Sequence, residues 1–86
     1  MDETKQYYTP KEIAEKSDYK VDTIRRIAAL FEEHNRHFSK QGSRGRVYDD
    51  YALASFLLYK SRVEEIGERD AIRFALKVIY SINIDR

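Results

Sequence analysis

Two short polar stretches carry the chemistry that this chain offers. The first holds Tyr19, Lys20, Thr23, Arg25 and Arg26, and the second holds Lys40, Ser43, Arg44 and Arg46. All of these side chains can donate a hydrogen bond, and most are positively charged. Such groups can hold a phosphate oxygen or read the edge of a base; they are not a set for breaking covalent bonds. Arginine can also grip guanine with two parallel donors, so Arg25 or Arg26 is the first candidate for a base reader. Lys20 and Thr23 suit phosphate, and Tyr19 suits packing beside a sugar-phosphate chain. The plainer alternative for Arg25 and Arg26 is an exposed pair bridging Asp22 and Glu32 or Glu33. For the second stretch the plainer alternative is a solvated loop.

The elements that must position these groups are legible in the chain. Thr9, Pro10, Lys11 and Glu12 form a capping box with Thr9 as N-cap, and Tyr8 and Ile13 stand where a hydrophobic staple would close. The helix so begun is short, reaching about Lys16, with Ser17 and Asp18 as its break. A second helix is expected from about Val21 to His34, because Val21, Ile24, Ile27, Ala28 and Leu30 or Phe31 recur at helical spacing. Its start is weakly capped at Lys20, with Asp22 compensating through the helix dipole, and Asn35 is the expected left-handed stop. Two helices joined in this way make a helix-turn-helix, whose second helix has the shape and charge to enter a major groove.

Residues 38–48 read as a β-hairpin, FSK, QGSRG and RVY, with Gly42 and Gly45 supplying positive φ at the tip and Tyr48 more suited to the core than to a ligand. Asp49 or Asp50 then caps a third helix whose inner face is Leu53, Phe56, Leu57, Val63 and the stem of Lys60, and Gly67 ends it. The last segment, from about Arg69 to Ile82, is apolar nearly all round except for Arg73, Lys77 and Ser81. A helix of that kind is buried on most sides, either by the domain itself or by a second copy of the chain, and the second copy is favoured because so small a body has little surface to offer. Ile84 also leaves room for the chain to be part of a longer dimeric protein. The expected fold is mainly α, a winged helix-turn-helix in one domain over 1–86. The helix-turn-helix occupies about 10–34, the wing about 38–48 and the C-terminal helices about 50–82.

Composition agrees with this. The chain has 86 residues, 42% hydrophobic and 36% charged, with no cysteine, so disulfides and thiolate-ligated zinc are excluded. Net charge is +1, which by itself is silent about nucleic acid, but Arg36–Arg46 contains no acid while Glu64, Glu65, Glu68 and Asp70 crowd the later half. A basic face opposite an acidic one draws in a polyanion through local field. No apolar run approaches the roughly 20 residues that span a bilayer, and MDETKQ does not resemble a signal peptide, so an intracellular, cytoplasmic location is expected by default.

From Ile13 to Arg25 the chain reads IAEKSDYKVDTIR. This resembles the helix-turn-helix of the MerR superfamily, whose pattern is close to I-A-x-x-x-G-V-S-x-x-T-L-R; Ala14, Thr23, Ile24 and Arg25 fall into register. Arg46-Val47-Tyr48 and the capped helix after it resemble that family's wing strand and third helix, so the likeness covers about 8–80. Asp18 stands where the pattern has Gly and Lys20 where it has Ser. The long helix after Arg26 is more like the partition, chromosome-anchoring and excisionase-like branch than the metal- and drug-sensing members. The resemblance implies double-stranded DNA as partner, for transcription regulation or partition, and gives no support to metal or drug sensing.

Other chemistries fit poorly. His34 and His37 flank a helix end and a zinc site needs three or four ligands, so two exposed histidines are expected and no metal or cofactor. GSRG at 42–45 lacks the Gly-Lys-Ser/Thr ending of a phosphate loop. Asp49 and Asp50 are explained by a helix cap. No enzyme is expected. The rival reading is a protein-interaction or architectural module that works through the apolar last helix.

Overall fold

A computed structural model describes residues 7–82. The polar start at 1–6 and Ile84 lie outside the described residues. Four helices and one two-stranded antiparallel sheet follow one another as helix, helix, hairpin, helix, helix. This is the expected order of elements.

Helix α1 (Pro10–Ser17) starts on the full capping box: the Thr9 hydroxyl accepts from the Glu12 amide at 3.2 Å, and the Glu12 carboxylate accepts from the Thr9 amide at 2.9 Å. Asp18 ends it in the left-handed conformation, φ 65° and ψ 33°, a region that short polar side chains tolerate better than most. Helix α2 (Val21–Glu32) has no side-chain cap at Lys20, as anticipated. It stops at Glu32 rather than His34, and Asn35 is not left-handed. Asn35 turns the chain differently: its side-chain carbonyl accepts from the His37 amide at 3.1 Å, a local bond that competes with continuing the helix.

The hairpin joins β1 (Ser39–Gly42) to β2 (Gly45–Tyr48), with Lys40 opposite Val47 and Gln41 opposite Arg46. Of its two glycines only Gly45, at φ 126°, needs positive φ. Gly42 is tightly enclosed instead: a Cβ there would lie 3.0 Å from the Gly45 carbonyl oxygen and 3.1 Å from Val47, so a neighbour would have to shift by a few tenths of an ångström. Phe38 sits just before the strand, not in it. The chain also makes a pairing that local pattern did not announce: Tyr8 exchanges two backbone hydrogen bonds with Tyr48, 2.7 and 2.8 Å long, which ties the entry to α1 onto β2.

Helix α3 (Asp50–Ile66) is capped by Asp49, whose carboxylate accepts from the Ala52 amide at 2.9 Å, and Gly67 ends it at φ 90°. Helix α4 (Glu68–Tyr80) packs along it. The inner face of α3 is Ala52, Ser55, Phe56 and Tyr59, with Leu53 and Val63 partly buried against the core. Leu57, expected inside, is 43% exposed because the helix turns that position away from the buried set. On α4, Ala71, Ile72, Ala75 and Leu76 are buried, while Val78 is 54% exposed. The chain thus covers much of its last helix unaided. Among the described residues no helix is long and apolar enough to cross a membrane.

The centre of the core is aromatic. Phe31 of α2 stacks on Phe38 with centroids 4.5 Å apart and meets Phe56 and Tyr59 of α3 edge-on at 5.8 and 6.3 Å. Phe38 in turn touches Tyr48 and Phe56. Replacing Phe31 by Ala should cost about 3–5 kcal/mol, read from the urea midpoint. Leu57→Ala should stay within about 0.5 kcal/mol, and a large loss there would show that Leu57 belongs to the core after all.

Candidate nucleic-acid interface

The outer side of α2 and the hairpin face each other across a groove of about 550 Å³. Arg25, Ala28, Ala29 and Glu32 line it from α2, and Ser43, Arg44, Arg46 and Tyr48 line it from the hairpin, with Thr9 and Pro10 at the head of α1 closing one side. Of the residues singled out in the sequence, Arg25, Ser43, Arg44 and Arg46 therefore come together. Lys20 and Lys40 are exposed and Thr23 is half-buried, all outside the groove lining. Tyr19 and Arg26 lie elsewhere.

The geometry of the groove depends on Glu32, which the sequence presented only as a possible partner for Arg25 or Arg26. Its carboxylate accepts from the Ser39 hydroxyl at 2.6 Å and lies 3.6 Å from Arg46, which also donates to Ser39 at 2.7 Å. These three side chains fasten the end of α2 to both strands. The expectation of an acid-free basic segment holds only along the chain; in space Glu32 enters it. Three arginines against one carboxylate still leave the lining positive. Arg25 is 67% exposed in its side chain, and its nearest acid is Asp22, 4.0 Å away and almost fully exposed. A pair so open to solvent restrains Arg25 little.

Tyr19 and Lys60 form a second polar cluster behind the turn between α1 and α2. The Lys60 ammonium donates to the Ser17 carbonyl at 2.7 Å and lies 4.9 Å from the Tyr19 ring centroid. Lys60 thus contributes through its charge, satisfying a carbonyl that the end of α1 leaves open, a role that the sequence did not suggest. Tyr19 also leans on Tyr59, centroids 6.5 Å apart. Arg26 donates to Glu68 at the start of α4, and the Tyr59 hydroxyl donates to the same Glu68 oxygen at 2.9 Å. The crowded acids of the later half are largely matched in the same way: Glu65 lies 3.3 Å from Arg62 and Asp70 3.6 Å from Arg73. The acidic face expected opposite the basic one is therefore largely neutralised by its own cations.

These contacts shift titrations. Burial first, and then the hydrogen bond to Glu68, push the Tyr59 phenol up to about 12. The guanidinium of Arg26, followed by the Tyr59 hydroxyl, holds the Glu68 carboxyl below its ordinary value. His34 and His37 are both exposed. Among the described residues no group of three or more His, Cys, Asp or Glu side chains is placed to hold a metal ion.

No protein-family model matches the chain, and no curated protein or solved structure matches it either.

The Tyr59 phenol has a folded pKa above its unfolded value of 10, so its contribution to stability is complete below pH 10 and disappears as pH rises through about 12. Glu68 has the opposite sign: its contribution is complete above its ordinary 4.5 and is lost as pH falls through the lowered value. Urea midpoints followed across pH should therefore fall on both limbs, and Tyr59→Phe should flatten the alkaline limb. An unchanged alkaline limb would mean that neither burial nor the bond to Glu68 raises the Tyr59 phenol in solution.

Proposed function

We propose that this chain is a sequence-specific double-stranded DNA-binding module of the winged helix-turn-helix kind, with α2 in the major groove and the hairpin as a wing on the adjoining backbone. One observation carries the reading: Arg25 of α2 and Ser43, Arg44 and Arg46 of the hairpin converge on a single groove. A helix face and a strand pair that share one positive concavity can hold a base edge and a neighbouring phosphate at once. The bond of Glu32 to Ser39 and Arg46 supports this, because it holds the two arms at a set distance before any ligand arrives.

The likeness to the MerR pattern supports it as well. Asp18 adopts the left-handed conformation at the position where that pattern has Gly, so the departure from the pattern keeps the turn. Arg25 is the base reader, Lys20 and Thr23 contact phosphate from the front of α2, and Lys40, Ser43, Arg44 and Arg46 contact the flanking backbone. The protein serves transcription regulation or partition of a plasmid or chromosome, in the cytoplasm with the nucleoid or a plasmid. It binds as a homodimer through α4 or within a longer dimeric protein. A second reading, an interaction or architectural module, draws on the exposure of Tyr51, Leu57 and Val78 on α3 and α4.

Selection from a randomised duplex pool tests the reading directly. An enriched inverted repeat is expected, since a two-fold protein reads a two-fold site; a lone half-site would remove the homodimer, and no retention at low salt would leave the interaction module. Arg25→Ala should cost about 1–3 kcal/mol of binding and relax the selected sequence. Arg44→Ala should weaken binding to all duplexes alike and reduce the salt slope by about one. The reverse pattern would exchange the roles of helix and hairpin.

A further inference from the structure

Arg25 and Arg26 are neighbours in sequence and chemically identical, yet the fold treats them differently. Arg25 is loosely paired to an exposed aspartate. Arg26 reaches across to α4 and donates to Glu68, the first residue of that helix, placed there by the turn at Gly67. An exposed ion pair is ordinarily worth little, and Arg26 and Glu68 are 59% and 42% exposed in their side chains. Here the carboxylate does not float. Its Oε2 also accepts from the hydroxyl of Tyr59, a residue only 3% exposed whose ring packs edge-on against Phe31 in the core. The guanidinium is thus tied, through one shared oxygen, to the aromatic centre of the molecule.

Resting on the DNA reading above, we infer that Arg26 is a positioning residue and not a base reader, and that Glu68 and Tyr59 act through it to set the angle at which α2 meets the duplex. Discrimination between bases then falls to Arg25. The electrostatics agree with this division. A phosphate approaching Arg26 would also approach Glu68, and like charges repel. A guanidinium already neutralised by a carboxylate releases no counterions from DNA, so it adds nothing to the salt slope. The clamp holds α2 on one flank, as the bond from Glu32 to Ser39 and Arg46 holds its far end on the other.

Removing a carboxylate from a DNA-binding protein raises affinity by simple charge, so a loss on removing Glu68 would be diagnostic of positioning. The test is duplex affinity across a salt series for Arg26→Ala, Glu68→Ala, the double variant and Arg26→Lys, at a temperature where far-UV circular dichroism shows all of them folded. Each alanine variant is expected to bind about tenfold more weakly, and the double variant no more weakly than either, because one interaction is removed in all three. Arg26→Ala should leave both the salt slope and the selected sequence unchanged, and Arg26→Lys should recover most of the affinity. A slope lower by about one for Arg26→Ala, a relaxed sequence preference, or tighter binding by Glu68→Ala would each make Arg26 a DNA contact and overturn the inference while leaving the DNA reading intact. Failure of the unaltered chain to bind any duplex would overturn both.

Discussion

The stacking of Phe31 on Phe38 is the contact on which the other arrangements depend. Phe31 closes the buried face of α2, begun by Ile24, Ile27 and Ala28, and Phe38 is the last residue before the hairpin. With centroids 4.5 Å apart and rings within 8° of parallel, the pair brings the hairpin back against the helix it has just left. Tyr48 and Phe56 then meet Phe38 edge-on, so the far strand and α3 are located by the same ring. Offset and edge-on aromatic pairs have preferred geometries that aliphatic contacts lack, which lets a small core specify direction as well as burial. Directional packing of this kind suits a small domain that has no cysteine and therefore no disulfide to fasten it.

Polar contacts then refine what the aromatic core has brought together. The turn between α1 and α2 is held from behind by Lys60, the middle of α2 by Glu68 and Tyr59, and its end by Ser39 and Arg46. Each contact is a charge-assisted hydrogen bond between elements, and each joins α2 or its turn to a different part of the chain. Such bonds contribute modestly to stability when partly solvated, yet they restrict orientation. Arg25 stands outside this set, held only loosely by Asp22. A helix tied at its turn, middle and end, with one loosely paired arginine beside a positive hairpin, is the arrangement on which the proposed DNA reading rests.

Much of the fold was legible because its signals are local. The capping box at Thr9 and the Gly67 stop each involve residues within one turn of helix and stand where sequence placed them, and of the two candidate caps, Asp49 and Asp50, the structure uses Asp49. The helical repeat of Ile24, Ile27 and Ala28 likewise identified the buried face of α2. Local reasoning failed where two local signals compete or where one helix turns slightly. Asn35 closes the helix through its side chain instead of its backbone, and Leu57 lies just outside the inner stripe that Phe56 and Tyr59 occupy. Sequence also does not reveal how much of the apolar last helix α3 covers: Ala71, Ile72, Ala75 and Leu76 are buried, while Val78 is 54% exposed.

The sequence by itself determined the identity and order of the elements, the composition of the basic groups and, apart from the end of α2, where the helices begin and end, because these depend on bonds between near neighbours. Which of those basic groups act together was decided only by tertiary structure. Arg25 and Arg26 are equivalent to any reading of the chain; a carboxylate 42 residues away makes one of them an anchor. Lys60 finds the Ser17 carbonyl 43 residues back, and Tyr8 pairs with Tyr48. Contacts of this length have no signature in local spacing, since they arise from the direction in which packed helices present their faces. Charge pattern along a chain therefore indicates which side chains are available to hold an anion, and the fold selects those that remain free to do so.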